Sequence, residues 1–144
     1  PRGVTSQPTV AGSCLCGVLR FRGALPPKWV AHCHCSMCRR AHGAGFVTWV
    51  GFDRDAFTIE SGNEMLSRHA SSAQAIRSFC SRCGSMLFFE SGHWPGEIHV
   101  TLASLDPAEG LEPQVHSYWS SRVAWADWRG KTLPTLDPPD HSAD

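Results

Sequence analysis

The sequence carries no excess charge of either sign: Lys+Arg and Asp+Glu are both 13, and the formal net charge is zero. No basic run interrupts that balance, which leaves little electrostatic footprint for nucleic acid or an anionic membrane. Neither is an expected partner. No stretch approaches the ~20 consecutive apolar residues of a membrane-spanning helix. The first residues, Pro1 to Gly12, lack the basic and apolar regions of a secretory leader. A cytoplasmic location, with its reducing conditions, is the expectation that follows.

Helical periodicity is scarce as well. Gly 13 and Pro 10 punctuate the chain at short intervals, and short β-rich runs lie between them. Strands are expected over Val18–Arg22, Phe46–Gly51, Phe57–Ser61, Ala75–Cys80, Met86–Glu90 and Ile98–Thr101, with loops over 23–27 and 91–96. One helical turn is expected, over Ser36–Ala44. The pattern predicts a mainly β fold of small antiparallel sheets with one or two short helical turns. The 144 residues suffice for one domain with its own core. We place that domain at 10–136, between frayed segments 1–9 and 137–144. The six Trp are read chiefly as packing residues, and a Trp-rich rim would suit a homodimer.

Seven cysteines dominate what remains. They fall as Cys14-x-Cys16, Cys33-x-Cys35-x-x-Cys38 and Cys80-x-x-Cys83. In a reducing compartment such clusters signify metal or catalysis rather than disulfides, and the odd count agrees. Cysteines two apart on an extended chain share a face, and a CxxC at a tight turn can also grip one ion. Gly84, directly after Cys83, can take a positive φ and turn backbone N–H groups toward the sulfurs.

Three divisions are open. Cys14, Cys16, Cys80 and Cys83 can close one site, leaving Cys33, Cys35 and Cys38 to a second. Alternatively Cys35, Cys38, Cys80 and Cys83 form the closed site, or Cys14 and Cys16 pair with two central cysteines. Local geometry favours the first, because Cys33, Cys35 and Cys38 lie close enough in sequence for one loop and one helical turn to present them all. Four thiolates make a closed structural zinc site, whereas three leave a position open.

His32 and His34 alternate with Cys33 and Cys35, so they are expected to face away from the sulfurs. His42 follows Cys38 by one helical turn and is a candidate fourth ligand or proton shuttle. His116 could reach the site only through the fold. Arg39 and Arg40 are candidates for binding the carboxylates of a cosubstrate, with Arg77 and Arg122 weaker ones.

Three blocks stand in order: Gly12-Ser13-Cys14-Leu15-Cys16-Gly17, His32-Cys33-His34-Cys35-Ser36-Met37-Cys38-Arg39-Arg40 and Phe79-Cys80-Ser81-Arg82-Cys83-Gly84-Ser85. Ser104-Leu105-Asp106, His116-Ser117-Tyr118-Trp119, Trp125 and Leu133-Pro134 follow them. In these the chain resembles the glutathione-dependent formaldehyde-activating enzyme family, which includes the centromere protein V domain. It departs from many members in having His42-Gly43 where they have Ser-Gly. The resemblance implies a β-tent fold and two zinc ions per chain. Cys14, Cys16, Cys80 and Cys83 would bind a structural zinc, and Cys33, Cys35 and Cys38 a catalytic one. It also implies glutathione as cosubstrate and formaldehyde or another small aldehyde as its partner.

A zinc dication with three thiolates carries a net charge of −1, so it should activate water poorly. A soft site prefers a fourth sulfur. A substrate thiol, with an ordinary pKa near ~8.5, would be held there as thiolate. Its sulfur can add to an aldehyde, and the reverse reaction is carbon–sulfur lysis, so a lyase is expected. A histidine near neutrality would move the proton. Two other functions compete: a non-catalytic zinc module for protein interaction, and a zinc–thiolate redox sensor.

Overall fold

Strands form here because short apolar–polar alternations recur at a period of two. A computed structural model describes residues 7–106 and 110–137. Its elements run β1 (Thr9–Ser13), β2 (Arg20–Ala24), β3 (Trp29–Cys33), α1 (Ser36–His42), β4 (Val47–Asp53), β5 (Phe57–Ser61) and β6 (Leu66–Ala70). They continue with β7 (Ala75–Cys80), β8 (Met86–Ser91), β9 (Glu97–Thr101), β10 (Leu105–Asp106) and β11 (Val115–Ser117). Short 3-10 turns join several of them. The fold is mainly β, as expected.

The strands make two sheets. One has the order β10-β1-β2-β5 and the other β11-β3-β4-β9-β8-β7-β6. The larger sheet contains one parallel pair, β11 with β3, which aligns His116 with His32 and Ser117 with Cys33. The main core fills the space between the sheets. Phe21 of β2 meets Phe88 of β8 edge-on at 5.0 Å, with Phe52, Val50, Ile98 and Val100 all but inaccessible around them. Each such side chain contributes about 1.5–3 kcal/mol through burial.

A second face of the larger sheet carries different chemistry. Register aligns Trp29 with Gly51, Gly51 with His99, His99 with Phe89, and Phe89 with Arg77. Residues so paired share one face. Helix α1 packs against β4, and Cys33, Cys38, Val47 and Trp49 form a small buried cluster bordered by Trp29, Cys35 and Phe89.

Several bounds differ from the sequence reading. Strand β2 begins at Arg20 rather than Val18 and continues through Gly23 and Ala24, which were expected in a loop. The reason is local: Cys14 N–H donates to the Leu19 carbonyl, so 14–19 is a closed turn. Thr9 opens β1, inside the segment expected to fray, and the Pro8 carbonyl accepts from Leu25 N–H at 2.8 Å. Residues 1–6 and 138–144 lie outside the described residues, while 131–137 have no regular structure. No helix among the described residues is long and apolar enough to cross a membrane. Trp125 and Trp128 are exposed.

Candidate metal centres

The thiols gather into two groups, and the division matches the first of the three open from spacing. Cys14, Cys16, Cys80 and Cys83 converge, as do Cys33, Cys35 and Cys38, with all ligand atoms in each group within 4.8 Å of one another.

The first group joins two turns far apart in sequence. Cys14 and Cys16 sit between β1 and β2, and Cys80 and Cys83 between β7 and β8. Each turn ends on a glycine in the left-handed region, Gly17 at φ 79° and Gly84 at φ 80°, which a residue with a Cβ adopts only under strain. Gly84 N–H donates to the Cys80 carbonyl at 2.7 Å. Leu19 N–H donates to Cys14 Sγ at 3.4 Å. Ser85 Oγ joins the turns, accepting from Leu15 N–H at 3.0 Å and lying 3.2 Å from Cys83 Sγ. Burial resists ionisation of Cys83, but Ser85 and nearby backbone N–H groups lower its pKa to about 5. Sulfurs ~2.3 Å from a tetrahedral zinc lie about 3.8 Å apart. The Cys14–Cys16 and Cys16–Cys80 separations are 3.6 and 3.9 Å. The donor set fits a closed zinc site.

The second group is local. Cys33 ends β3, Cys35 caps α1 and Cys38 lies in its first turn. Cys35 Sγ accepts from Cys38 N–H at 3.2 Å. Hydrogen bonds from the Cys33 and Cys38 thiols hold Cys35 far below the usual thiol range, whereas bonds with Cys35 and Cys38, and burial, push Cys33 up. The Cys38 thiol is also raised: its bond with Cys33 opposes the shift, but Cys35 and burial outweigh it. No fourth His, Cys, Asp or Glu ligand joins the trio among the described residues. Three soft donors with a vacant fourth direction suit zinc with one position left for another sulfur.

Around the trio the structure distributes the other predicted residues unevenly. His42 lies edge-on to Trp49 at 5.3 Å, and its buried Nε2 has no partner among the described residues. Burial, helped by the Arg77 charge, lowers its pKa to about 4, so it does not titrate near neutrality as the sequence reading assumed. Arg39 Nε donates to the His34 carbonyl at 3.3 Å, and Arg40 is exposed. Arg122 lies over the Trp119 ring at 4.4 Å.

His32 and His34 form a separate cluster. His32 Nδ1 is 2.7 Å from Thr48 Oγ1, and His34 Nε2 is 2.9 Å from His116 Nδ1. The parallel β11–β3 pairing brings His116 there, which no local pattern reveals.

Arg77 was underrated. It is 5% exposed, and Nη1 and Nη2 donate to Cys38 Sγ at 3.7 and 3.8 Å. The available signal was alternation: Ala75 and Arg77 face inward on β7 while Ile76 faces out. An open cavity of about 730 Å³ is lined by Cys14 of the first group, by His42 and by Val47, which packs with Cys33 and Cys38; the three sulfurs of the trio do not line it. Its volume is the usual size for a small-molecule site.

The comparisons with known proteins accord with this geometry. The family described as glutathione-dependent formaldehyde-activating enzyme matches residues 9–121. The chain belongs to that family. A curated Halomonas elongata protein, whose name assigns it provisionally to glutathione-dependent formaldehyde activation, is 32% identical over 124 residues, 81% of this chain and 78% of that protein. An uncharacterized lyase of Schizosaccharomyces pombe is 30% identical over 83 residues, and the match spans 58% of each. A Rhodobacter sphaeroides protein of known crystal structure superposes with a TM-score of 0.60 at 26% identity, covering 74% of this chain and 98% of that one.

Proposed function

We propose that this protein is a carbon–sulfur lyase that joins a thiol, glutathione or a close relative, to formaldehyde or another small aldehyde. One observation carries the reading: the chain brings three sulfurs together and offers them no fourth ligand among the described residues. The reading takes two zinc ions per chain, one closed by Cys14, Cys16, Cys80 and Cys83, the other held by Cys33, Cys35 and Cys38. Zinc in the trio would supply a soft fourth position at which a substrate thiol is held as thiolate at neutral pH.

The reaction forms one sulfur–carbon bond and opens the carbonyl π bond. The thiol's proton ends on the new hydroxyl oxygen, and nothing is oxidised or reduced. His42 is our candidate for moving that proton. Its low pKa keeps the imidazole neutral at pH 7, and its unpartnered Nε2 is free to accept from the incoming thiol and donate to the nascent alkoxide. Trp49 and Phe89 border the trio with apolar surface, limiting competition from water. We assign Arg39 and Arg40 to the rim, where a carboxylate of the thiol would meet them. A reducing compartment such as the cytoplasm would keep the thiols available.

The test is adduct formation from glutathione and formaldehyde, followed by NMR. The zinc-loaded protein should accelerate it saturably, and Cys35→Ser should abolish the effect while keeping the fold. Equal rates with and without protein would overturn the reading for this pair of substrates.

A further inference from the structure

We propose that Arg77 is the positioning residue of the three-thiol centre, its buried positive charge neutralising the zinc–trithiolate unit so that a fourth thiolate can join. This rests on the reading that the trio holds a metal with an open position.

A buried guanidinium is costly unless an anion and hydrogen-bond acceptors meet it. Arg77 is 5% exposed, yet among the described residues it makes no ion pair with a carboxylate. The ion pairs found engage Arg22, Lys28, Arg54, His99, Arg122 and Arg129 instead. Both terminal nitrogens of Arg77 are turned to one sulfur, Cys38 Sγ. The guanidinium carbon lies over the Phe89 ring, 4.8 Å from its centroid. Arginine does not lose its proton in proteins, so the charge is permanent. The negative charge that answers it is therefore on the sulfur trio.

Two consequences follow. Zinc with three thiolates is −1, and Arg77 brings the unit to zero. A fourth thiolate then makes the unit −1, where without Arg77 it would be −2 in a partly buried site. Hydrogen bonds to Cys38 Sγ also draw electron density from that sulfur, leaving the metal the more attractive to a new ligand. The weak Lewis acidity expected from three thiolates alone is thus corrected by a residue distant in sequence. Among the described residues no guanidinium donates to a sulfur of the four-thiol centre. Its sulfurs are met by backbone N–H groups and Ser85, and it has no fourth position to fill.

The test uses the full chain loaded with Co²⁺, with wild type, Arg77→Met and Arg77→Lys compared. Removing the positive charge should raise the energy of the sulfur electrons. The trio's thiolate-to-cobalt charge-transfer band should then move to longer wavelength in Arg77→Met, while the four-thiol band stays in place as internal reference. Glutathione, followed through the same band, should bind about tenfold more weakly. Arg77→Lys should recover most of both properties.

An unmoved band and unchanged glutathione affinity in Arg77→Met would overturn the proposal. So would a lysine variant as impaired as the methionine one, because packing or fork geometry rather than charge would then be responsible. Arg77→Gln is a second neutral variant should Arg77→Met not fold. If only the cationic variants fold, the charge is again the element required; if Arg77→Lys also fails to fold, the proposal falls. Failure of the underlying reading looks different: wild type would bind one cobalt only, or glutathione would leave the trio's band unchanged.

Discussion

The two thiol centres share one ligand type and differ in almost everything around it. The four-thiol centre ties the β1–β2 turn to the β7–β8 turn, bridging Cys16 and Cys80 across 64 positions of sequence. The trio spans a single strand end and helix start. Closing a long loop through a metal removes much freedom from the unfolded chain, and closing a short one removes little. On our proposal the first centre therefore serves folding. The second, on the same proposal, would lose its metal and leave the sheet standing, which suits a site that must exchange a ligand. Their surroundings diverge accordingly: backbone amides and Ser85 at the first, a buried guanidinium and a buried imidazole at the second.

Substitution can break this contrast, and the largest effect is expected at the closed site. Cys80→Ala, which removes a ligand of no measurable exposure, should cost most of the metal's contribution to folding, on the order of 10 kcal/mol in small zinc domains. Circular dichroism should show an unfolded chain, and a cooperative melt near the wild-type temperature would assign folding to another element.

The trio should behave oppositely. Cys38→Ser is predicted to melt within about 2 kcal/mol of wild type. It should bind one fewer zinc and lose adduct formation by at least ~100-fold. Global unfolding of this variant would erase the distinction between the centres.

A smaller effect is expected at His42. With Asn in its place, adduct formation should slow by about 100-fold while both zincs are retained. The pH dependence of stability has a definite sign. Burial lowers His42 from 6.5 to about 4, so between those values the unfolded chain holds more proton than the folded one. Stability should then rise with pH across that window and be lost as pH falls from about 6.5 toward 4. Denaturant titrations at several pH values should show a flatter slope in His42→Asn. An identical slope would remove His42 as the cause.

The smallest effect is expected for Ser85→Ala. Losing the acceptor for Leu15 N–H should destabilise the fold by about 1 kcal/mol and leave adduct formation unchanged. A loss of activity would mean the two centres are coupled.

These contrasts were unequally legible in the sequence. Strands β5 and β7 have the expected bounds because Phe57–Ser61 and Ala75–Cys80 are apolar-rich runs with turn residues on either side. Strand β6 was invisible: Leu66-Ser-Arg-His-Ala is an edge strand, largely exposed, with no buried alternation to read. The grouping of sulfurs follows from spacing, since near neighbours in sequence have few ways to point. Arg77 and His42 show where spacing ends. Whether a charged or titratable side chain is buried depends on which strand or ring lies against it, and Phe89, Trp49 and Cys38 come from three separate elements. Their roles emerge only once the sheet is assembled.

The most direct test of the account is a glutathione titration of the protein loaded with Co²⁺, with bound metal counted at each step. The account predicts two metals per chain and a glutathione-dependent change confined to the trio's charge-transfer band, absent in Cys35→Ser. One metal per chain, or two centres that both ignore glutathione, would contradict it.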